Sequence, residues 1–318
     1  MLARAGVDVP STRKWVLEAQ VGAHPVVPAL LEWRRKERIA TTYGWRWLRE
    51  HVGTDDRLRG AWTACDGAAG RMTAQAGLHN LPADLRPAVA ADDGWVFVRT
   101  DLGQVEPRVL AAVSGDRAFA AATREDDLYS PVAAQLGVDR SVAKIAVLAA
   151  MYGQRSGPAA EALRGLEREY PVAMAHLQRA QDAGRRGEPV HTFGGRRVRT
   201  DFPGGGGEEH DGRDAASSAS SASSARGRFA RNAVIQGSAA ELFKAWAATV
   251  RVAVRPLRSR IVLCLHDELL VHVPQEHAEQ AAAAVDQALT DAARRWLGGE
   301  QVRFVADTSV VRRWSEAK

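Results

Sequence analysis

Cysteine is nearly absent from this chain. Cys65 and Cys264 are the only two in 318 residues, far apart and in no CxxC spacing. They supply neither a disulfide framework nor a zinc site, so the small stapled folds are excluded and a reducing cytoplasm is expected. Long apolar runs are absent as well: none reaches the roughly 20 residues that cross a bilayer, and no signal-peptide pattern opens the chain. No membrane partner is expected. Internal repeats are missing too. Acidic residues do not dominate, since 43 Lys and Arg stand against 38 Asp and Glu, a net charge of +5. That balance is compatible with a polyanionic partner without demanding one. Composition is otherwise ordinary for a soluble chain long enough to bury a core, with 46% hydrophobic and 25% charged residues. Tryptophan is the exception; the nine present are expected to pack cores.

Four stretches carry the chemistry. Ile261–Pro274 (IVLCLHDELLVHVP) has two apolar runs flanking His266, Asp267 and Glu268. It predicts a hairpin with two carboxylates at its tip, which repel unless a cation lies between them. Hard oxygen ligands suit Mg²⁺ or Mn²⁺. Gly94–Asp116 predicts a strand over Trp95–Thr100 with Asp101 at its end, then a helix over Gln104–Val113, with Pro107 tolerated in its first turn beside Glu106 and Arg108. Asp139–Gly153 predicts a helix capped by Asp139 and stopped by Gly153. Arg140, Lys144, Leu148 and Tyr152 recur every four residues and share one broad face. A guanidinium fork and an ammonium on successive turns suit a polyphosphate. Arg228–Arg251 predicts a long helix with Arg228, Asn232 and Gln236 at the same spacing. Each stretch alone has a plainer reading: a charged hairpin tip, a helix cap, a solvated stripe.

The remainder organises these four. Residues 1–60 read as helical, and Ala29–Arg49 carries apolar positions among the basic cluster Arg34, Arg35, Lys36 and Arg38. Met1–Val9 looks like the middle of a helix and turn. Gly67–Pro82 reads as a loop containing Arg71 and Asn80, and His191–Pro203 as a hairpin with a Gly-Gly turn. Gly204–Ala225 is low-complexity Gly, Ser and Ala, expected to be disordered. His277–Leu297 predicts a helix and Val302–Val311 a closing strand.

In this order the motifs DLGQVEPRVLAAVSGD (101–116), RSVAKIAVLAAMYG (140–153), RNAVIQGSAAELFKAW (231–246) and LHDELLVHV (265–273) resemble the family A DNA polymerases of the bacterial DNA polymerase I type. GRM…LHNLP at 70–82 and FGGRRVRTDF at 193–202 are weaker matches. The wording is closest to an actinobacterial branch that carries a 3′–5′ exonuclease domain upstream, without that domain here. The resemblance implies an α+β right-hand polymerase fold with an antiparallel palm sheet, helical fingers and a shortened helical thumb. It places a thumb remnant at 1–60, palm at 61–118, fingers at 119–227 with the loop at 204–225 inside them, and palm again at 228–318.

The same resemblance implies a monomeric DNA-templated DNA polymerase, cytoplasmic and nucleoid-associated, acting on primer–template DNA and dNTPs. Asp101, Leu102 (through its carbonyl) and Asp267 would bind two Mg²⁺ per site, with Mn²⁺ able to substitute. Glu268 would be an accessory carboxylate and Lys144 a proton donor. Gln104, Glu106, Arg140, Lys144, Leu148 and Tyr152 would bind the nucleotide. Arg71, Asn80, Arg228, Asn232, Gln236 and His266 would line the DNA minor groove. No nuclease carboxylate cluster precedes residue 60, so synthesis without proofreading is expected. Departures from the pattern are Leu148 for an aromatic residue, Leu102 for a tyrosine, Pro107 for an aliphatic residue, Tyr129 for a histidine, and a shortened Tyr129–Arg140 segment. They leave open a second reading, a truncated primer–template binder with little synthesis. A single-subunit RNA polymerase shares some motifs, but Glu106 and the His-Asp-Glu triplet argue for DNA synthesis.

Overall fold

The computed structural model describes residues 2–154, 160–201, 215–298 and 301–317. Its helices are α1 (Lys14–Glu18), α2 (Val26–Thr42), α3 (Trp45–His51), α4 (Val105–Ser114), α5 (Arg117–Ala122), α6 (Tyr129–Leu136), α7 (Arg140–Tyr152), α8 (Ala160–Glu169), α9 (Pro171–Arg185), α10 (Ala215–Ala253) and α11 (Ala278–Leu297). Its strands are β1 (Trp62–Asp66), β2 (Arg71–Ala74), β3 (Trp95–Gly103), β4 (Val190–His191), β5 (Arg197–Val198), β6 (Arg260–Leu265), β7 (Glu268–Pro274) and β8 (Val305–Val311). The chain divides into two units, Met1–Ala61 with Ala74–Leu85, and Trp62–Thr73 with Arg86–Lys318.

The first unit is helical around a small core of Val7, Leu17 and Val27. The helical stretch expected over Ala29–Arg49 is divided between α2 and α3, because the chain turns at Gly44. A β-carbon there would collide with the Ala40 carbonyl oxygen, so the tight turn needs glycine. Tyr43 Oη donates to the Gly77 carbonyl (2.8 Å) and Trp47 Nε1 to that of Ala76 (2.7 Å), which fastens residues 74–85 to this unit. The basic cluster on α2 is a partnered surface. Arg34 reaches Thr12, Arg35 pairs with Asp84, Lys36 with Glu32, and Arg38 donates to the Asn80 carbonyl.

In the second unit, β6-β7-β3-β8 form one antiparallel sheet. β3 is the strand that the Val- and aromatic-rich run predicts, but it continues through Asp101, paired there with both β7 and β8, to Gly103 on the β8 side. Asp101 is therefore inside a strand rather than at its end. Alternation divides the sheet's faces. Val96, Val98 and Leu102 with Leu269, Val271 and Val273 pack against α10 and α11 in one core. Arg99 and Asp101 with Glu268 and Asp307 lie on the opposite face. α4 to α10 build a second, helical core around Phe119, Leu128, Met151, Leu166, Leu177 and Ile235. The architecture is α+β, as expected.

Two further expectations change. Gly67–Pro82 is not simply a loop: β1 and β2 form a hairpin, turned by Gly67 and Gly70 at φ 62° and 67°. Of the segment expected to be disordered, Gly204–Asp214 lies outside the described residues. Ala215–Ala225 is helical and opens the 39-residue α10. Alanine is the best helix former, and extending a helix already held by burial costs no new nucleus. Ser223 Oγ also donates to the Arg185 carbonyl on α9 (3.1 Å).

α10 joins both cores, and Trp246 is its anchor. The indole is fully buried and donates to the Val285 carbonyl on α11 (3.2 Å). Trp246→Ala is expected to cost about 3–5 kcal/mol of stability through the cavity it leaves, read as a lower urea midpoint.

Candidate active site

The hairpin predicted at Ile261–Pro274 forms, with a two-residue loop, His266–Asp267. Only Asp267 is at the tip. Glu268 already belongs to β7, paired with Leu265 on β6 and Asp101 on β3. Two carboxylates at the tip is thus corrected to one at the tip and one on the strand. The loop is anchored to β3 by the Leu102 N–H, which donates to the Asp267 carbonyl (3.0 Å). His266 has φ 51°, in the left-handed region at the first loop position, where glycine is usual. Gln104, between β3 and α4, has φ 53°. Both strained residues border the same cleft, lined also by Arg71, Glu106, Leu148, Gln236 and Asp267. Strain of this kind collects at functional sites. His266→Gly is expected to raise stability by about 1 kcal/mol by relieving it, read as a higher midpoint of thermal unfolding.

The carboxylates in this region are electrostatically uncomfortable. Burial raises Asp101 to about 6, aided by the neighbouring charge of Asp267 and opposed by Arg99. Burial also raises Asp267, with Glu106 and Glu268 contributing and Arg71 opposing. The raised Asp101 value means that its charge weakens the fold above about pH 6, and that this penalty fades as pH falls toward the ordinary carboxylate range. A cation beside the two aspartates would reverse the effect. Glu106 is raised by burial, against Arg71 and a hydrogen bond with Gln236. Tyr152 is raised chiefly by the Glu106 charge. Arg71, Glu106, Gln236, His266, Asp267 and Tyr152 thus share one neighbourhood drawn from β2, α4, α10, the hairpin and α7.

Other expected residues are engaged elsewhere. The carboxamide of Gln104 accepts from the Leu128 N–H (2.9 Å) and from Arg108 (3.3 Å), and donates to Asp127 (3.1 Å). Arg108 is fully buried and donates to the carbonyls of Thr123, Glu125, Asp126 and Arg303. On α7, Gly153 stops the helix as expected, whereas Asp139 holds the N-cap position without a side-chain capping bond; Arg140 is held bidentately by Asp127 (2.7 and 2.8 Å). Its guanidinium lies 5.7 Å from the Tyr129 ring centroid. Lys144, one turn on, is exposed and has no ion pair among the described residues. Arg228 is exposed and Asn232 half-buried on α10, neither lining the cleft. Asn80 belongs to the first unit.

Glu268, expected as an accessory carboxylate, has both oxygens occupied. Oε2 accepts from Arg99 (3.0 Å) and Oε1 from Trp314 Nε1 (2.7 Å). Sequence reasoning missed Arg99, Asp127 and Asp307. Arg99 is legible only as the residue two before Asp101 on a strand; Asp127 and Asp307 carry no local signal. Among the described residues no group of three His, Cys, Asp or Glu forms a metal cage. Two aspartate side chains with a backbone carbonyl and solvent are a different donor set, and the raised Asp101 and Asp267 fit a hard cation.

An antiparallel sheet with an aspartate at its hairpin tip and another on the adjoining strand, backed by a helical lobe, defines a family more than a single activity. The DNA polymerase family A profile matches residues 4–316, and the chain belongs to that family. It is 30% identical over 336 residues to the thermostable DNA polymerase I of Thermus filiformis, covering 97% of this chain and 38% of that protein. It is 31% identical over 300 residues to DNA polymerase I of Chloroflexus aurantiacus, covering 84% of this chain and 30% of that one. The chain thus spans about a third of the length of these relatives. Its fold matches the POL domain of Pol1 from M. smegmatis, solved in complex with DNA primer-template and dNTP. The TM-score is 0.76 at 25% identity, over 96% of this chain and 57% of that chain. No described helix is long and apolar enough to cross a membrane.

Proposed function

We propose that the chain is a DNA-templated DNA polymerase that adds deoxynucleotides to a primer 3′-hydroxyl. One observation carries the reading: burial raises two half-buried aspartates, Asp101 on β3, which the Asp267 charge raises further, and Asp267 at the hairpin tip, which lines a cleft with Glu106, Arg71 and Gln236. The POL domain matched by the fold, solved with primer-template and dNTP, supports it. Asp101, Asp267 and the Leu102 carbonyl would hold two Mg²⁺, or Mn²⁺ in their place. Bound there, divalent cations lower the pKa of an attacking hydroxyl and neutralise a triphosphate.

The protein's own groups do the rest. Arg140 turns from Asp127 to the triphosphate oxygens, and Lys144, with no ion pair to break among the described residues, grips them and protonates the leaving pyrophosphate. Glu106, held by Gln236, fills the space of a ribose 2′-hydroxyl. Gln104 and Leu148 border the nucleotide, and Tyr152 sits by the templating base. Arg71, Asn80, Arg228, Asn232, Gln236 and His266 contact the minor groove, where readout is degenerate and pair shape can be checked without sequence. Residues 1–60 act as a thumb remnant, 61–118 and 228–318 as palm, and 119–227 as fingers. The protein works as a monomer in the cytoplasm, on the nucleoid.

A second reading, a primer–template binder with little synthesis, is favoured by the pairing of Arg140 with Asp127 and of Arg99 with Asp101. Primer extension with Mg²⁺ and dNTPs, beside fluorescence anisotropy on the same duplex, separates the two. Template-dependent elongation is expected; tight binding without elongation would establish the binder instead.

A further inference from the structure

Register places three carboxylates side by side across three strands. Asp101 on β3 lies directly opposite Glu268 on β7 and Asp307 on β8. Like charges so placed repel. Arg99, two residues before Asp101 and hence on the same face, answers all three. Its NH2 is 2.6 Å from Asp101 Oδ2 and 3.0 Å from Glu268 Oε2, and its NH1 is 3.4 Å from Asp307 Oδ2. The Arg99 side chain is only 9% exposed and that of Glu268 14%, so solvent screens this pair least. The three acceptors are not equivalent. Glu268 is fixed by Trp314 through its other oxygen. Asp307 is 74% exposed and can follow the guanidinium. Asp101, the shortest contact, is also the residue assigned above to metal binding.

We propose that Arg99 is a built-in counter-cation that competes with a divalent cation for Asp101, so that metal loading requires Arg99 to shift its hold to Glu268 and Asp307. The inference rests on the reading of Asp101 as a metal ligand. It makes Arg99 a positioning residue: in the metal-free protein it keeps three opposed carboxylates together, and Asp307 is the partner that lets it yield Asp101. A guanidinium suits this task because its planar fork can change acceptors without losing charge.

Mn²⁺ binding to the DNA-free protein, read from the electron paramagnetic resonance signal of free Mn²⁺, tests this without activity. Arg99→Met is expected to bind Mn²⁺ tighter by on the order of tenfold, as removal of a close competing charge implies. Asp307→Asn, which leaves Arg99 fewer acceptors, is expected to bind Mn²⁺ more weakly. In EDTA, Arg99→Met should melt lower than the unsubstituted chain and regain more on adding Mn²⁺, since its carboxylates lack a counter-charge. Unchanged or weaker Mn²⁺ binding by Arg99→Met overturns the proposal. Should that variant fail to fold, unchanged or tighter binding by Asp307→Asn does so instead. Mn²⁺ binding indifferent to Asp101→Asn would remove the metal assignment itself, an outcome distinct from either.

Discussion

Asp101→Ala and Asp267→Ala are each expected to lower primer extension by about 10³-fold or more, the loss of roughly 4 kcal/mol of transition-state stabilisation. Duplex binding should persist, because Asp101 lies within β3 and Asp267 in a loop whose backbone contact to Leu102 survives either change. Each substitution removes a carboxylate whose charge is unfavourable in the metal-free state, so stability should not fall with activity. That separation matters for the assignment. Single-turnover incorporation, anisotropy on the primer–template and a melting curve supply the three readouts. Extension within tenfold of the unsubstituted chain by either variant would sink the metal assignment, and parallel loss of melting temperature would reduce it to a folding effect.

Glu106→Ala is expected to weaken discrimination between dATP and ATP by on the order of 10²-fold, the scale on which a pocket rejects one added hydroxyl. The structural basis is that Glu106 is held in place. It stands in the first turn of α4, hydrogen-bonded to Gln236 on α10 and within the field of Arg71. A side chain tethered from a second helix cannot swing aside cheaply to admit a 2′-hydroxyl. Gln236→Ala should therefore give a smaller shift in the same direction. Competition between dATP and ATP in single-nucleotide incorporation measures both, and an unaltered ratio in Glu106→Ala would remove the gate.

Much of this site was legible along the chain because its parts are local. The four-residue spacing on α7 needs only helical geometry, and Asp139 and Gly153 bound that helix from sequence. The strand before Asp101 follows from its Val and aromatic content, and α4 from the proline allowed in a first turn. The helical start of α10 was hidden because composition speaks of low complexity while alanine propensity, continued from a buried helix, prevails. The break at Gly44 was hidden because a glycine inside a helical pattern is ambiguous until the Ala40 carbonyl is known to crowd it.

By itself the sequence determined the family, the α+β class and most of the elements that bear the motifs, and it singled out the two aspartates on which the proposed metal site rests. Those depend on residue type and on periodicities of a few residues. Tertiary structure alone decided the electrostatic partners. Arg99 faces Asp307 across 208 residues and Glu268 across 169, Arg140 meets Asp127 across 13, and Gln104 is taken up by the segment before α6. Which charges neutralise which depends on strand register and helix packing. Register is set by the sum of many apolar contacts on the other face of the sheet, and no local pattern around any one of these residues encodes it.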